Sequence, residues 1–528
     1  MSNQPSLQVH TKNSWLTIMN KPRPAFLSVG FWAAAVLVFI LVAVSQGGPA
    51  PGDSPESTNA TWTVSHGAFS CLYSPDSSYS SQEDLGPIAL DPPLYPLVSG
   101  LVAAMAHVGT GATFPSRSSL GPNCARGPSL VSKWSLKANA LTGTLRIGYL
   151  AFLFLALGLS AIIRTLRRQS TLWELLGPVV VALSPAVYEC LTAFFHPEDL
   201  MAIGLVLVAT HFALRERWVL AGAAIALALS TQQIALLAAV TLFFIASGRR
   251  RLGYVLGLFV TSAVIDVTTL LITQGRAWRA IIFGTSRIRS TGTRDLRSTG
   301  GTVLFELHLH GLALFFISRM APLLLSALIA WWARKHLSDA VRDPAVVISL
   351  VATAFALRLA FEENLFNYYF MPVVVGLVLL EVARGRIHEA ALAWLTLVSF
   401  AFGVLPPLLN QGSTSSTMSH LRFAIPVFLV LSGSLIVVTI INRRLPWYVV
   451  ALAAFCLLMA LSNHLPGHVR GADTPYWLWQ IVLVPSSLLL VAAPWWQAIQ
   501  RQRGRPETLH FRLTKSYTSQ SIRDPDAL

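Results

Sequence analysis

The chain of 528 residues is 54% hydrophobic and only 12% charged, with a formal net charge of +15 and a mean hydropathy of +0.58. Soluble globular proteins carry about twice that charged fraction, which excludes a water-soluble domain as the main architecture. In a soluble chain the positive balance would point to nucleic acid. Here the enrichment of Lys and Arg in cytoplasmic loops of membrane proteins accounts for it, and no nucleic-acid partner is expected.

Residues 1–24 read as a cytoplasmic tail carrying Lys12, Lys21 and Arg23. The apolar run 25–46 is too long for the core of a cleaved signal and lacks a cleavage site after it, so it reads as a retained first span. A polar outer segment, 47–140, follows. Its apolar stretch 94–108 reads as a helix at the outer interface, because counting it as a span would put consecutive basic loops on opposite sides. Further spans are expected at 141–163, 172–194, 200–214, 218–230, 233–247, 252–273, 311–333, 344–361, 367–383, 388–409, 421–442, 446–463 and 476–497, each judged against the roughly 20 residues that cross about 30 Å of hydrocarbon. The pair 218–230 and 233–247 is short and reads as a hairpin broken at Ser230-Thr231-Gln232. The fold class expected is an all-α polytopic membrane protein of about fourteen spans in one domain, 25–497, with outer loops 47–140 and 274–310. A basic, disordered cytoplasmic tail, 498–528, completes the chain.

Charge placement is consistent with this threading. Of the 39 Lys and Arg, 24 fall in segments assigned to the cytoplasm and 11 outside, with Arg146, Arg319, Arg358 and Arg422 inside spans. Both termini come out cytoplasmic, in the cell membrane, with an extracytoplasmic active face. Six outer cations crowd 274–310: Arg276, Arg279, Arg287, Arg289, Arg294 and Arg297. Glu189 and Asp266 share the depth of the four intramembrane arginines. Ionisable groups are costly there and mark functional cavities by default.

The stretch FFHPEDLMA, Phe194–Ala202, sets a histidine and two adjacent carboxylates at the end of a span. The plain reading is a helix start, with Pro197 in the first turn and Glu198 and Asp199 favouring the helix dipole. The functional reading is proton abstraction from a polar acceptor, with His196, Glu198 and Asp199 as base or orienting groups. Guanidinium groups in 274–310 suit a lipid phosphate, the plain alternative being contact with anionic headgroups. Asp91 is either a turn residue before two prolines or a base, and His66 either a solvated loop histidine or a base. Arg358 and Glu362 form an i, i+4 pair able to neutralise itself. Tyr368 and Tyr369 fit an aromatic belt better than a substrate contact. There is no Walker A motif, no nucleophile elbow and no zinc spacing, and His308 and His310 would point to different faces of a helix. Cys190 and Cys456 lie in apolar runs, while Cys71 and Cys124 share the first outer segment, where a disulfide is an even-odds expectation.

Several stretches together resemble the GT-C membrane glycosyltransferases, and especially the polyprenyl-phosphate-mannose-dependent mannosyltransferases of glycosyltransferase family 87. They are DPPLYPLVSGLVAAM (Asp91–Met105), HGAFSCLY (His66–Tyr73), HPEDLMAIGLVLVA (His196–Ala209), AGAAIALALSTQQIALLAAVTLFF (Ala221–Phe244) and ENLFNYYFMPVVVGLVLL (Glu363–Leu380). The resemblance covers roughly residues 25–385. An excess of Arg over Lys, 33 to 6, fits a GC-rich source such as an actinobacterium. The resemblance implies transfer of mannose, or another sugar, from a polyprenyl phosphate to a hydroxyl of a glycan, glycolipid or protein outside the cytoplasm, with inversion and no obligatory metal or other cofactor. It also implies an Asp base early in the first outer loop. Around Trp62–Tyr73 this chain offers His66 and no acid, so Asp91, beside the family-like PPLYP element, is the leading base. A transporter or flippase, or a non-catalytic membrane scaffold, are the other classes open to this sequence.

Overall fold

The computed structural model describes residues 28–45, 54–65, 69, 72–73, 92–106, 138–166, 171–192, 195–273, 275, 277, 307–309, 311–337, 343–362, 365–404, 415–441 and 474–502. Among these residues the regular elements are helices and no strand occurs. In chain order the helices are α1 (Val29–Ser45), α2 (Ser54–Ser65), α3 (Leu94–Ala106), α4 (Ala138–Leu166), α5 (Thr171–Leu183), α6 (Pro185–Thr192), α7 (Pro197–Leu214) and α8 (Trp218–Leu229). They continue as α9 (Ala235–Ile245), α10 (Arg249–Ile272, with a π-helical stretch at Ala263–Val267), α11 (Gly311–His336), α12 (Pro344–Phe361), α13 (Met371–Arg384), α14 (Glu389–Val398), α15 (Ser415–Ile441) and α16 (Thr474–Gln502).

Among the described residues, seven segments are long and apolar enough to cross a membrane: Arg146–Leu166, Pro197–Leu214, Arg249–Ile272, Phe316–His336, Pro344–Phe361, Asn367–Arg384 and Val482–Gln502. The protein is therefore a multi-pass, all-helical membrane protein. The expected span 172–194 is occupied by two helices, α5 and α6, that are apolar and long enough to cross together but are bent by 53° at their junction. The cause is Pro185, which supplies no N–H to the helical ladder and clashes with the preceding turn. Helices α8 and α9, of 12 and 11 residues, rise only about 18 Å, too little to cross alone. The turn between them falls at Ser230–Ile234, as the sequence indicates. The expected span 446–463 lies outside the described residues.

Helix α7 is the centre of the bundle. Its sequence is apolar on all sides, and it is buried along nearly its whole length. Gly158 of α4 and Gly204 of α7 let these two backbones touch, since a Cβ on Gly158 would sit 2.5 Å from the Gly204 carbonyl oxygen. By contrast α10 is exposed along most of its length, showing Leu252, Leu256, Phe259 and Leu271 to the surroundings, the pattern of a lipid-facing helix.

The polar groups separate to the two ends of the bundle. At one end Arg334 of α11 donates to the carbonyls of Phe244, Ile245 and Ala246, Arg250 pairs with Glu216 at 2.8 Å, and Arg164 pairs with Glu174 at 3.3 Å. At the other end the start of α3 meets the α8–α9 turn through Leu94 N–H and the Ser230 carbonyl at 2.7 Å, and Ser230 Oγ donates to Asp266 at 3.3 Å. The starts of α7 and α13 and the end of α12 lie at this second end.

Candidate functional site

After α6 the described chain resumes at Phe195, a buried residue with φ of +62°. A bulky side chain rarely adopts this left-handed conformation, and where it does the surroundings must hold it. Three contacts do so. His196 N–H donates to the Cys190 carbonyl at 2.7 Å, Cys190 Sγ donates to the His196 carbonyl at 3.0 Å, and the Phe195 ring fills the space that a side chain on Gly148 would need. The chain is thus turned so that His196 precedes α7, with Pro197 in the first turn as the sequence predicts.

The imidazole does not cap that helix. His196 Nδ1 instead meets Glu198 Oε1 at 2.7 Å, and its ring lies flat on Tyr368, with centroids 4.4 Å apart and planes at 22°. The Glu198 side chain is 3% exposed and that of His196 21%, so a buried acid holds a ring that remains open on one side. Asp199 lies beside them, and the ligand-type atoms of His196, Glu198 and Asp199 all fall within 4.8 Å of one another.

Four further elements close the site. The 3-10 turn Asn367–Phe370 brings Tyr368 to His196 and sets Tyr369 edge-on against Tyr368 at 4.6 Å. The end of α12 brings Arg358, whose guanidinium sits 4.6 Å over the Tyr369 ring and whose Nε donates to Glu362 Oε2 at 2.8 Å. Arg319 of α11 donates to the same Glu362 oxygen at 3.0 Å. Asp199 feels the charges of His196, Glu198, Arg358 and Glu362 together. From α3 comes Tyr95, a buried residue whose hydroxyl has no hydrogen-bond partner among the described residues and lies within the field of Glu198. Asn367 donates to Glu189 of α6, tying the broken span to the Tyr368 turn.

Of the expected site residues, the structure brings together His196, Glu198 and Asp199. Asp91, His66 and the arginines at 276, 279, 287, 289, 294 and 297 lie outside the described residues, as do Cys71 and Cys124. Two sequence readings change. Arg358 and Glu362 are not a self-contained pair, because Arg319, 43 positions earlier, shares the carboxylate. Tyr368 is not a belt residue but stacks on the candidate histidine. The sequence flags Arg319 and Arg358 as intramembrane cations and sets Tyr95 in the family-like PPLYP element, but nothing in it pairs the arginines or gives Tyr95 a place beside Glu198. A second acid–histidine cluster, Glu381 with His388 Nδ1 at 2.7 Å and Arg384 at 2.9 Å, closes the turn after α13 at the opposite end of the bundle.

Buried carboxylates, a half-buried imidazole and two arginines at one end of a helical membrane bundle define a class: a membrane protein with an ionic cluster of the kind that marks a functional cavity. The comparisons narrow it. The model of glycosyltransferase family 87 matches residues 140–361, less than half of the chain but including His196, Glu198, Asp199, Arg319 and Arg358. The match supports a membrane glycosyltransferase. No curated protein matches the chain.

Proposed function

We propose that this protein transfers a sugar, mannose first among them, from a polyprenyl-phosphate donor to a hydroxyl of an extracytoplasmic glycan, glycolipid or protein, at the site around His196. The observation that carries the reading is the convergence of His196, Glu198 and Asp199 with Arg319 and Arg358, within the segment that matches family 87. In a single inverting displacement the acceptor oxygen attacks the anomeric carbon, a base takes its proton, and the phosphate leaves with the electron pair of the broken C–O bond. The base must come within about 2.6–3.2 Å of the acceptor hydroxyl, and cationic groups must meet the leaving phosphate from the other side. Asp91 is assigned as first candidate base. It directly precedes Pro92 and lies four positions before Tyr95 in the chain. His196, Glu198 and Asp199 orient the acceptor or take the proton themselves, and the arginines of 276–297 hold the donor phosphate. The protein works in the cell membrane with both termini in the cytoplasm.

The test is transfer by the purified protein, in lipid nanodiscs, from polyprenyl-phosphate mannose to envelope glycolipid extracts. Transfer is expected, and Asp91→Asn should cut turnover roughly 10²-fold while leaving donor binding intact. Transfer at the parental rate by Asp91→Asn moves the base to His196, Glu198 or Asp199. Absence of transfer from any polyprenyl-phosphate sugar overturns the reading. One observation favours a carrier instead: the broken α5–α6 span, of the kind transporters use at their binding sites. Substrate movement across sealed vesicles without glycosylation would support it.

A further inference from the structure

We infer that His196, Glu198 and Asp199 form a binding site for a divalent cation, the donor set being one imidazole nitrogen and two carboxylate oxygens. The first argument is charge. Glu198, Asp199 and Glu362 are each at most 5% exposed. Both neighbouring guanidiniums bond to Glu362, at 2.8 and 3.0 Å, and Arg358 reaches Asp199 only through its field. Among the described residues, the two adjacent buried carboxylates therefore have one titratable histidine beside them and no guanidinium bonded to them. Buried carboxylates are retained when they are paired or hold a metal, and a divalent cation supplies the two charges this pair needs.

The second argument is geometry. The donor atoms lie within 4.8 Å of one another, close to the spacing of about 3 Å that bonds of about 2.0–2.2 Å impose. The ring plane of the histidine is set by its stack on Tyr368, and the ion would enter between His196 Nδ1 and Glu198 Oε1, now 2.7 Å apart, in place of their direct contact. The third observation is independent of the cluster. Tyr95 presents a hydroxyl, buried and with no hydrogen-bond partner among the described residues, in the field of Glu198, where a cation-bound water or acceptor hydroxyl would complete its bonding. A mixed N/O donor set suits Mn²⁺, Zn²⁺ or Mg²⁺. The site goes beyond the expectation, carried by the family resemblance, of no obligatory metal. Its use, fixing the acceptor hydroxyl opposite the donor phosphate, rests on the transferase reading; the binding itself does not.

The experiment is titration of the full chain in metal-free nanodiscs with Mn²⁺, read by the loss of the free-ion electron paramagnetic resonance signal. One ion per chain is expected. Glu198→Gln, Asp199→Asn and His196→Gln should each weaken binding on the order of tenfold or more. Glu381→Gln, which alters the similar cluster at the far end, should leave it unchanged. Where one variant fails to fold, judged by helicity and gel filtration, the other two carry the test. Absence of Mn²⁺ binding at millimolar concentration, or equal binding by the folded variants, overturns the site. Sugar transfer that proceeds at full rate with no cation bound overturns the ion's use in the reaction and keeps the transferase. Site-specific Mn²⁺ binding by a protein that transfers no sugar does the reverse.

Discussion

Glu362 is the residue on which two membrane helices depend for charge balance, and Glu362→Gln tests that dependence. The substitution keeps the shape and one acceptor oxygen but removes the charge that Arg358 and Arg319 share. A hydrogen bond to a charged group contributes about 1.5–3 kcal/mol and a neutral one about 0.5–1.5, so two such bonds lose about 2–3 kcal/mol together. The side chain of Glu362 is 1% exposed, so water replaces little of this. The two arginines should not respond equally. Arg358 is the more buried and also lies over Tyr369, so Arg358→Met should cost more than Arg319→Met. Equilibrium unfolding in mixed micelles gives the free energies, and the double-mutant cycle between positions 319 and 362 isolates their coupling. A coupling of about 1 kcal/mol or more is expected. Strict additivity would mean that Arg319 does not share the carboxylate, and the three-residue unit would reduce to the i, i+4 pair visible in the sequence.

Other outcomes follow from single contacts. Gly204→Ala places a methyl group against the Phe154 backbone and should destabilise by about 1–3 kcal/mol, read in the same unfolding assay; an unchanged midpoint would mean that α4 and α7 are not in backbone contact. Tyr368→Leu should lower kcat for sugar transfer more than Tyr368→Phe, because the latter keeps the ring stacked on His196, and equal losses would discount the stack. Single cysteines at His308 and Arg386, both exposed, should label from opposite sides of intact cells, with 308 reached from outside; labelling of both from one side would overturn the threading.

The spans were legible wherever length and hydropathy decide the matter. The helices at 197–214, 249–272, 344–361 and 367–384 fall close to their expected places, because a run of about 18 apolar residues has few alternatives in a bilayer. The break at Ser184–Pro185 was not foreseen. Hydropathy sums over a window and does not register one missing N–H, though Pro185 was there to be read. Within the site, HPED was legible because its residues are contiguous. Arg319 and Tyr95 were not, since their places depend on how α11 and α3 pack against α7 and α12, and no local pattern carries that information.

The contiguous motif could still have been an ordinary helix start, and the geometry separates the two readings. A first turn that serves only the helix dipole places its acids near the free N–H groups and needs no particular neighbour. Pro197 does occupy that first turn, and Glu198 and Asp199 do lie in it. Yet Glu198 is directed back to His196, and His196 makes no cap bond, lying on Tyr368 instead. The turn before it holds Phe195 in a conformation that costs energy, and a solvated cap would have no need of it. Helix initiation thus explains why a proline and acids stand here. It does not explain why the imidazole, the acid and an aromatic ring from 172 positions along the chain are held against one another at a strained turn, and the proposed role of this cluster as a fixed polar site does.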